Sequence, residues 1–253
     1  MNEGIDKTVK RFLLWCCLYF VLTTVGFMIG RSYKNYEIMS WLLLLGFILM
    51  CVVYFVKGYV KLSFGSIGRR MVWPAVVMSL LVAVANLLLL MSVSTLLDVD
   101  SLFSEDVESM KRTSEYLFSG IPGILQGGVF APIAEEIGFR GILLGGLLKT
   151  RCRPWIAILV SALVFALGHG FGVSFVGAMV FGIIVGWLYW RTDSIIPGIL
   201  IHIANNSLSF INLSGQSNTV CLIIFVASLL LLAFGLWWFW KKIKAMPGYQ
   251  RLE

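Results

Sequence analysis

The sequence predicts an all-α, polytopic membrane protein, a bundle of about eight transmembrane helices in one membrane-embedded domain over 1–253. Three observations carry that prediction. The 253 residues are 59% hydrophobic and only 13% charged, where a soluble domain carries about 25% charged residues. Several apolar runs reach the roughly 20 residues needed to cross a bilayer. Lysine and arginine gather at the ends of those runs, mostly on one side of the implied membrane.

A short polar tail, residues 1–10, leads to Lys10 and Arg11 and then the first apolar run, Phe12 to Ile29. That run exceeds the 7–15 residues of a typical signal-peptide core and no small-residue cleavage pattern follows, so it reads as a retained span. The second span is Ile38 to Val56. A basic connector, Lys57 to Met71, precedes a third helix in which Pro74 suits the first turn and which runs to about Leu97. Asp98 to Tyr116 is polar and mostly acidic, either a solvated loop or a short surface helix. The fourth span runs from about Gly120 to Lys149, interrupted by Pro122, Gly127, Gly128 and Pro132. Pro132 removes a backbone donor and favours a kink. The fifth span is Trp155 to about Gly170, the sixth Val173 to Trp190, the seventh Ile195 to Ile211 and the eighth Val220 to Trp240. Trp187, Tyr189 and Trp190, and again Trp237, Trp238 and Trp240, are interfacial belts.

Eight spans put both termini on one side. That side collects most of the basic residues, among them Lys61, Arg69, Arg70, Lys149, Arg151, Arg153, Lys241 and Lys242, while Arg31, Lys34, Lys111 and Arg112 fall on the other. The positive-inside rule makes the first side, and both termini, cytoplasmic at the cell membrane. The net charge of +7 is thereby explained by anionic lipid, not nucleic acid. The five cysteines, Cys16, Cys17, Cys51, Cys152 and Cys221, are odd in number, lack a Cys-x-x-Cys pair and sit in or beside apolar spans. They read as apolar thiols rather than a disulfide framework or metal site.

The fourth span carries Ala131-Pro-Ile-Ala-Glu135-Glu136-Ile-Gly-Phe-Arg140-Gly141. Charge at membrane depth is expensive and marks a functional site by default. Glu136 and Arg140 are i and i+4 and share a helix face, so they are expected to pair. Glu135 points about 100° away around the axis and has no partner inside the motif. The competing account is three charged side chains that simply hold the bundle together. The chain's two histidines, His169 and His202, both fall in apolar spans, and Asn206 lies one turn after His202. Three neighbouring spans could thus converge a carboxylate, two imidazoles and an amide. These groups suit hydrolysis: a desolvated carboxylate takes a proton from water, and imidazole and amide donors steady an oxyanion. No serine or cysteine is obviously paired with either histidine, which favours activated water over a covalent intermediate.

The three motifs, Glu135-Glu136-Ile-Gly-Phe-Arg140, Phe165-Ala-Leu-Gly-His169 and His202-Ile-Ala-Asn-Asn206, together resemble the CPBP family, the CAAX proteases and bacteriocin-processing enzymes, also called Abi or type II CAAX prenyl endopeptidase-like proteins. The resemblance covers about residues 120–211. It implies an intramembrane endopeptidase in which Glu135 is the general base, His169 helps position the water, and His202 and Asn206 line the site and form the oxyanion hole. Glu136 and Arg140 are supporting residues by the spacing argument. The family is commonly labelled metalloprotease; Glu135, His169 and His202 would be the ligands of a zinc ion, but the His-Glu-x-x-His helix is absent and no cofactor is favoured. The resemblance makes membrane lipid the surroundings and a peptide or membrane protein the substrate, and a bacterial source would argue against a prenylated CAAX protein. A proton-coupled transport protein is a rival, since intramembrane Glu and His also form proton relays, although no repeat-related halves are visible. A non-enzymatic bacteriocin-immunity protein is another.

Overall fold

The computed structural model describes residues 2–33, 36–58, 72–98, 108, 120–169, 173–208 and 217–245. Eight helical stretches run through them. They are α1 (Asn2–Ser32), α2 (Tyr36–Val56), α3 (Val72–Leu96), α4 (120–148), α5 (Pro154–Leu167), α6 (Val173–Thr192), α7 (Ile196–Leu208) and α8 (Asn218–Lys244). No strand occurs among the described residues. Five of the helices, α1, α2, α3, α6 and α8, are long and apolar enough to cross a membrane on length and composition. The protein is an all-α, multi-pass membrane protein. Its outer faces fit that setting, because Leu13, Leu14, Phe20, Leu45, Leu49 and Leu230 are all exposed, as lipid-facing side chains are.

The elements follow the sequence with three differences. Helix α1 begins at Asn2, so the polar tail is helical; charged residues there are good helix formers and carry no stop signal. Helix α5 ends at Leu167, short of Gly170, with Gly168 and His169 in a turn whose backbone N–H groups bond to the Phe165 and Ala166 carbonyls at 3.1 and 3.0 Å. The fourth span does not simply kink. It remains helical throughout but alternates in hydrogen-bond pattern: α over Gly120–Leu125, π over Gln126–Phe130, α over Ala131–Glu136, π over Ile137–Leu144 and α over Gly145–Leu148. The connector after Lys57, most of the acidic loop and residues 209–211 of the seventh span lie outside the described residues.

Helix α4 is the hub, touching α1, α2, α5, α6 and α7, while α3 packs along α7 and α8. A chain of rings fixes the α1–α4–α5 contact: Trp15 packs edge-on to Phe139 with centroids 5.1 Å apart, and Phe139 edge-on to Phe165 at 5.0 Å. The close approach of α1 depends on Gly138, where a Cβ would run into the Trp15 indole. Asn86 of α3 donates to the Asn205 side-chain oxygen of α7 at 2.7 Å, which sets the rotation of α7 and so the direction of its neighbours. None of the five cysteines is in a disulfide.

Candidate active site

Helices α4 and α7 bring Glu135, Glu136, Arg140 and His202 into one buried cluster. Arg140 donates through Nη1 to Glu136 Oε1 at 2.9 Å, and both side chains are almost wholly buried. The guanidinium also lies over the Phe165 and Phe181 rings, 4.6 and 5.7 Å from their centroids; stacking of a flat cation on rings suits arginine. The same Glu136 oxygen meets His202 Nδ1 at 3.0 Å. An ionised carboxylate only accepts, so Nδ1 carries the proton and donates. The second Glu136 oxygen lies against Gly198 of α7, where a Cβ would sit 2.7 Å from Oε2. A side chain there would press on both the carboxylate and Val185, so glycine gives Glu136 the room it occupies.

Glu135 is placed differently. It retains 15% of its side-chain exposure, and its Oε2 faces His202 Nε2 at 3.6 Å, too far for a direct hydrogen bond; a water touching both groups would sit to one side of the line between them. Its other oxygen accepts the Tyr19 hydroxyl at 2.7 Å. Tyr19 belongs to α1 and appears in none of the three motifs. The signal was in the sequence: a tyrosine near the middle of a span, away from the interfacial belts, needs a buried partner for its O–H.

Asn206 also faces α4. Its Nδ2 donates to the Gly127 carbonyl at 3.0 Å, for a reason local to that helix. In the first π segment the Ala131 N–H reaches back five residues to the Gln126 carbonyl. In the same register the Gly127 carbonyl would be taken by residue 132, which is proline and has no N–H. Asn206 supplies the missing donor, so Pro132 and Asn206 are coupled across α4 and α7. In the second π segment the Phe139 carbonyl accepts a bond from Ser161 of α5 at 2.9 Å. Irregular backbone at membrane depth is tolerated where neighbouring helices satisfy it.

His169 stands apart. It is exposed, its Nδ1 bonds to the Phe165 carbonyl at 2.9 Å, and its ring packs on Phe165 at 4.4 Å. Phe165 touches His202 from the other direction, with centroids 5.8 Å apart. Of the residues singled out by sequence, then, Glu135, Glu136, Arg140 and His202 share one cluster, Asn206 is tied to α4 beside it, and His169 makes no hydrogen bond to any of them. Among the described residues no three His, Cys, Asp or Glu side chains group as metal ligands. Glu135, His169 and His202 do not converge as the three ligands of a zinc ion.

Residues 117–208 match the family model of type II CAAX prenyl endopeptidase Rce1-like proteins. The resemblance carried by the three motifs is thereby shown for this segment. The matched span contains every residue of the cluster except Tyr19. A curated relative, the UPF0177 protein YxdF of Lactococcus lactis subsp. lactis (strain IL1403), is 29% identical over 91 residues, which are 36% of this chain and 46% of that protein. The chain thus spans about half the length of the curated relative it matches. No solved structure matches it.

Proposed function

We propose that this protein is an intramembrane endopeptidase that hydrolyses a peptide bond of a membrane-associated peptide or protein with water activated by Glu135. The observation that carries the reading is the unequal fate of two adjacent carboxylates. Glu136 is sealed against Arg140 and His202, whereas Glu135 keeps an open face 3.6 Å from His202 Nε2. The Rce1-like match supports a protease at family level.

Two carboxylates oppose one permanent cation, Arg140. Arg140 neutralises Glu136, and His202 lies between the two glutamates. Nδ1–H donates to Glu136 and Nε2 faces Glu135. Water bound on the exposed side of Glu135 gives a proton to that carboxylate while its oxygen attacks the scissile carbonyl carbon. The Asn206 amide and the His202 side of the site are assigned to steadying the oxyanion. As the C–N bond breaks, Glu135 returns the proton to the leaving nitrogen, releasing an amine and a carboxyl product. His169, exposed beyond Phe165, is assigned to positioning water or substrate at the entrance. No step uses a metal.

The test is purified protein in phosphatidylcholine nanodiscs against a panel of internally quenched fluorogenic peptides. The reading expects cleavage that survives chelation and metal stripping. Silence on every peptide, or one equivalent of zinc whose removal and return switch activity off and on, overturns it. Asn206→Ala is expected to lower kcat roughly 10²–10³-fold, the range for one oxyanion donor, with KM nearly unchanged. A rise in KM at constant kcat would instead leave Asn206 only its tie to Gly127.

We place the chain in the cell membrane with both termini cytoplasmic, on the charge asymmetry. Cysteine-accessibility mapping should label a probe at Lys244 from the cytoplasmic side and one at Asp106 from the other; reversed labelling would invert the topology.

A further inference from the structure

We propose that Tyr19 is a positioning residue of the active site, one that fixes which oxygen of Glu135 acts as the base; this rests on the peptidase reading above. The Tyr19 hydroxyl donates to Glu135 Oε1 at 2.7 Å. A carboxylate oxygen holding a short O–H bond is a poorer proton acceptor than its twin, because part of its charge is already engaged. The twin, Oε2, faces His202 Nε2. Tyr19 therefore leaves Oε2, on the His202 side, as the freer and more basic oxygen, and it stops the carboxylate from rotating away from His202.

The tyrosine itself is held firmly. Its ring packs on Trp15 and on Phe47 of α2, each with centroids 5.1 Å apart. Trp15 in turn is seated on α4 through Gly138. The hydroxyl's position is thus set by α1, α2 and α4 together, and its reach to Glu135 spans 116 residues of sequence. A group held by three helices and donating to one carboxylate oxygen orients that carboxylate with little entropy left to lose. It also makes α1, which lies outside the family-matched segment, part of the catalytic apparatus.

Tyr19→Phe removes the O–H and keeps the ring packing. With a peptide that the wild type cleaves, kcat should fall roughly ten- to hundredfold, as expected for losing one hydrogen bond to a charged group, while KM stays nearly constant. Tyr19→Leu should lose kcat to the same degree but also unfold at lower temperature, because it gives up the ring contacts. A double-mutant cycle on thermal unfolding, Tyr19→Phe with Glu135→Ala, checks the contact without any turnover: the effect of Tyr19→Phe should vanish once Glu135 is gone. An active wild type with an equally active Tyr19→Phe protein, or a Tyr19→Phe effect unchanged in the Glu135→Ala background, overturns the Tyr19 assignment and leaves the peptidase reading standing. A wild type silent on every peptide overturns the peptidase reading and the Tyr19 role with it.

Discussion

Glu135→Gln is expected to abolish peptide cleavage, a loss of at least about 10³-fold in kcat, while folded yield and thermal stability remain close to wild type. General-base catalysis contributes about 10²–10⁴-fold, and in the proposed mechanism the same group also returns the proton to the leaving nitrogen, so both halves of the reaction would suffer. The amide is nearly the shape of the carboxylate and its carbonyl still accepts the Tyr19 hydroxyl, so little structural penalty follows. Substrate affinity should hardly move, because the base acts mainly in the transition state. Measured turnover within tenfold of wild type would remove Glu135 from the base role. The same substitution at Glu136 would strike a different function, since that side chain bonds to Arg140 and His202.

The second large effect is structural. Arg140→Leu leaves the wholly buried Glu136 carboxylate without its cation. Breaking one partner out of a buried pair destabilises by about 3–5 kcal/mol, and the loss of the stack on Phe165 and Phe181 adds to it. Folded yield in detergent and the unfolding midpoint should both drop sharply. Arg140→Leu protein as stable as wild type but inactive would mean that the guanidinium serves the chemistry and not the scaffold. The contrast with Glu135→Gln separates the roles of two neighbours in the chain: one substitution removes activity and spares the fold, the other removes the fold itself.

Much of this arrangement is legible in the residues. The apolar runs and their interfacial tryptophans give the all-α membrane class, and the four-residue interval between Glu136 and Arg140 gives their pair, seen at 2.9 Å. The approach of α7 to the glutamates follows from the polar face that His202 and Asn206 share. What is not legible has identifiable causes. A π segment inserts extra backbone without changing hydropathy, so the alternation within 120–148 leaves no trace beyond Pro132 and the glycines. Periodicity says nothing of contacts between distant helices, which hides the reach of Tyr19 to Glu135. His169 lies beyond the end of α5 because that helix stops at Leu167; a run of apolar residues does not reveal where a helix unwinds into a turn. The span count drawn from hydropathy treats α5 like its longer neighbours, although at 14 residues it is shorter than the five helices that, among the described residues, are long and apolar enough by themselves to cross.

The shortness of α5 bears on where the reactant comes from. Its 14 residues cover about 21 Å of a hydrocarbon layer about 30 Å thick. Set with its basic turn at Arg151 and Arg153 on one boundary, it would end roughly 9 Å short of the other. Lipid beside such a helix must thin or tilt to avoid exposing the unwound turn at Gly168 and His169 to acyl chains. Such thinning would draw headgroups and their hydration inward at the place where an exposed imidazole stands next to Phe165, which itself touches His202. If the protein hydrolyses peptides as proposed, it needs a supply of solvent within the bilayer, and a helix too short for that bilayer would bring the aqueous phase down to meet it.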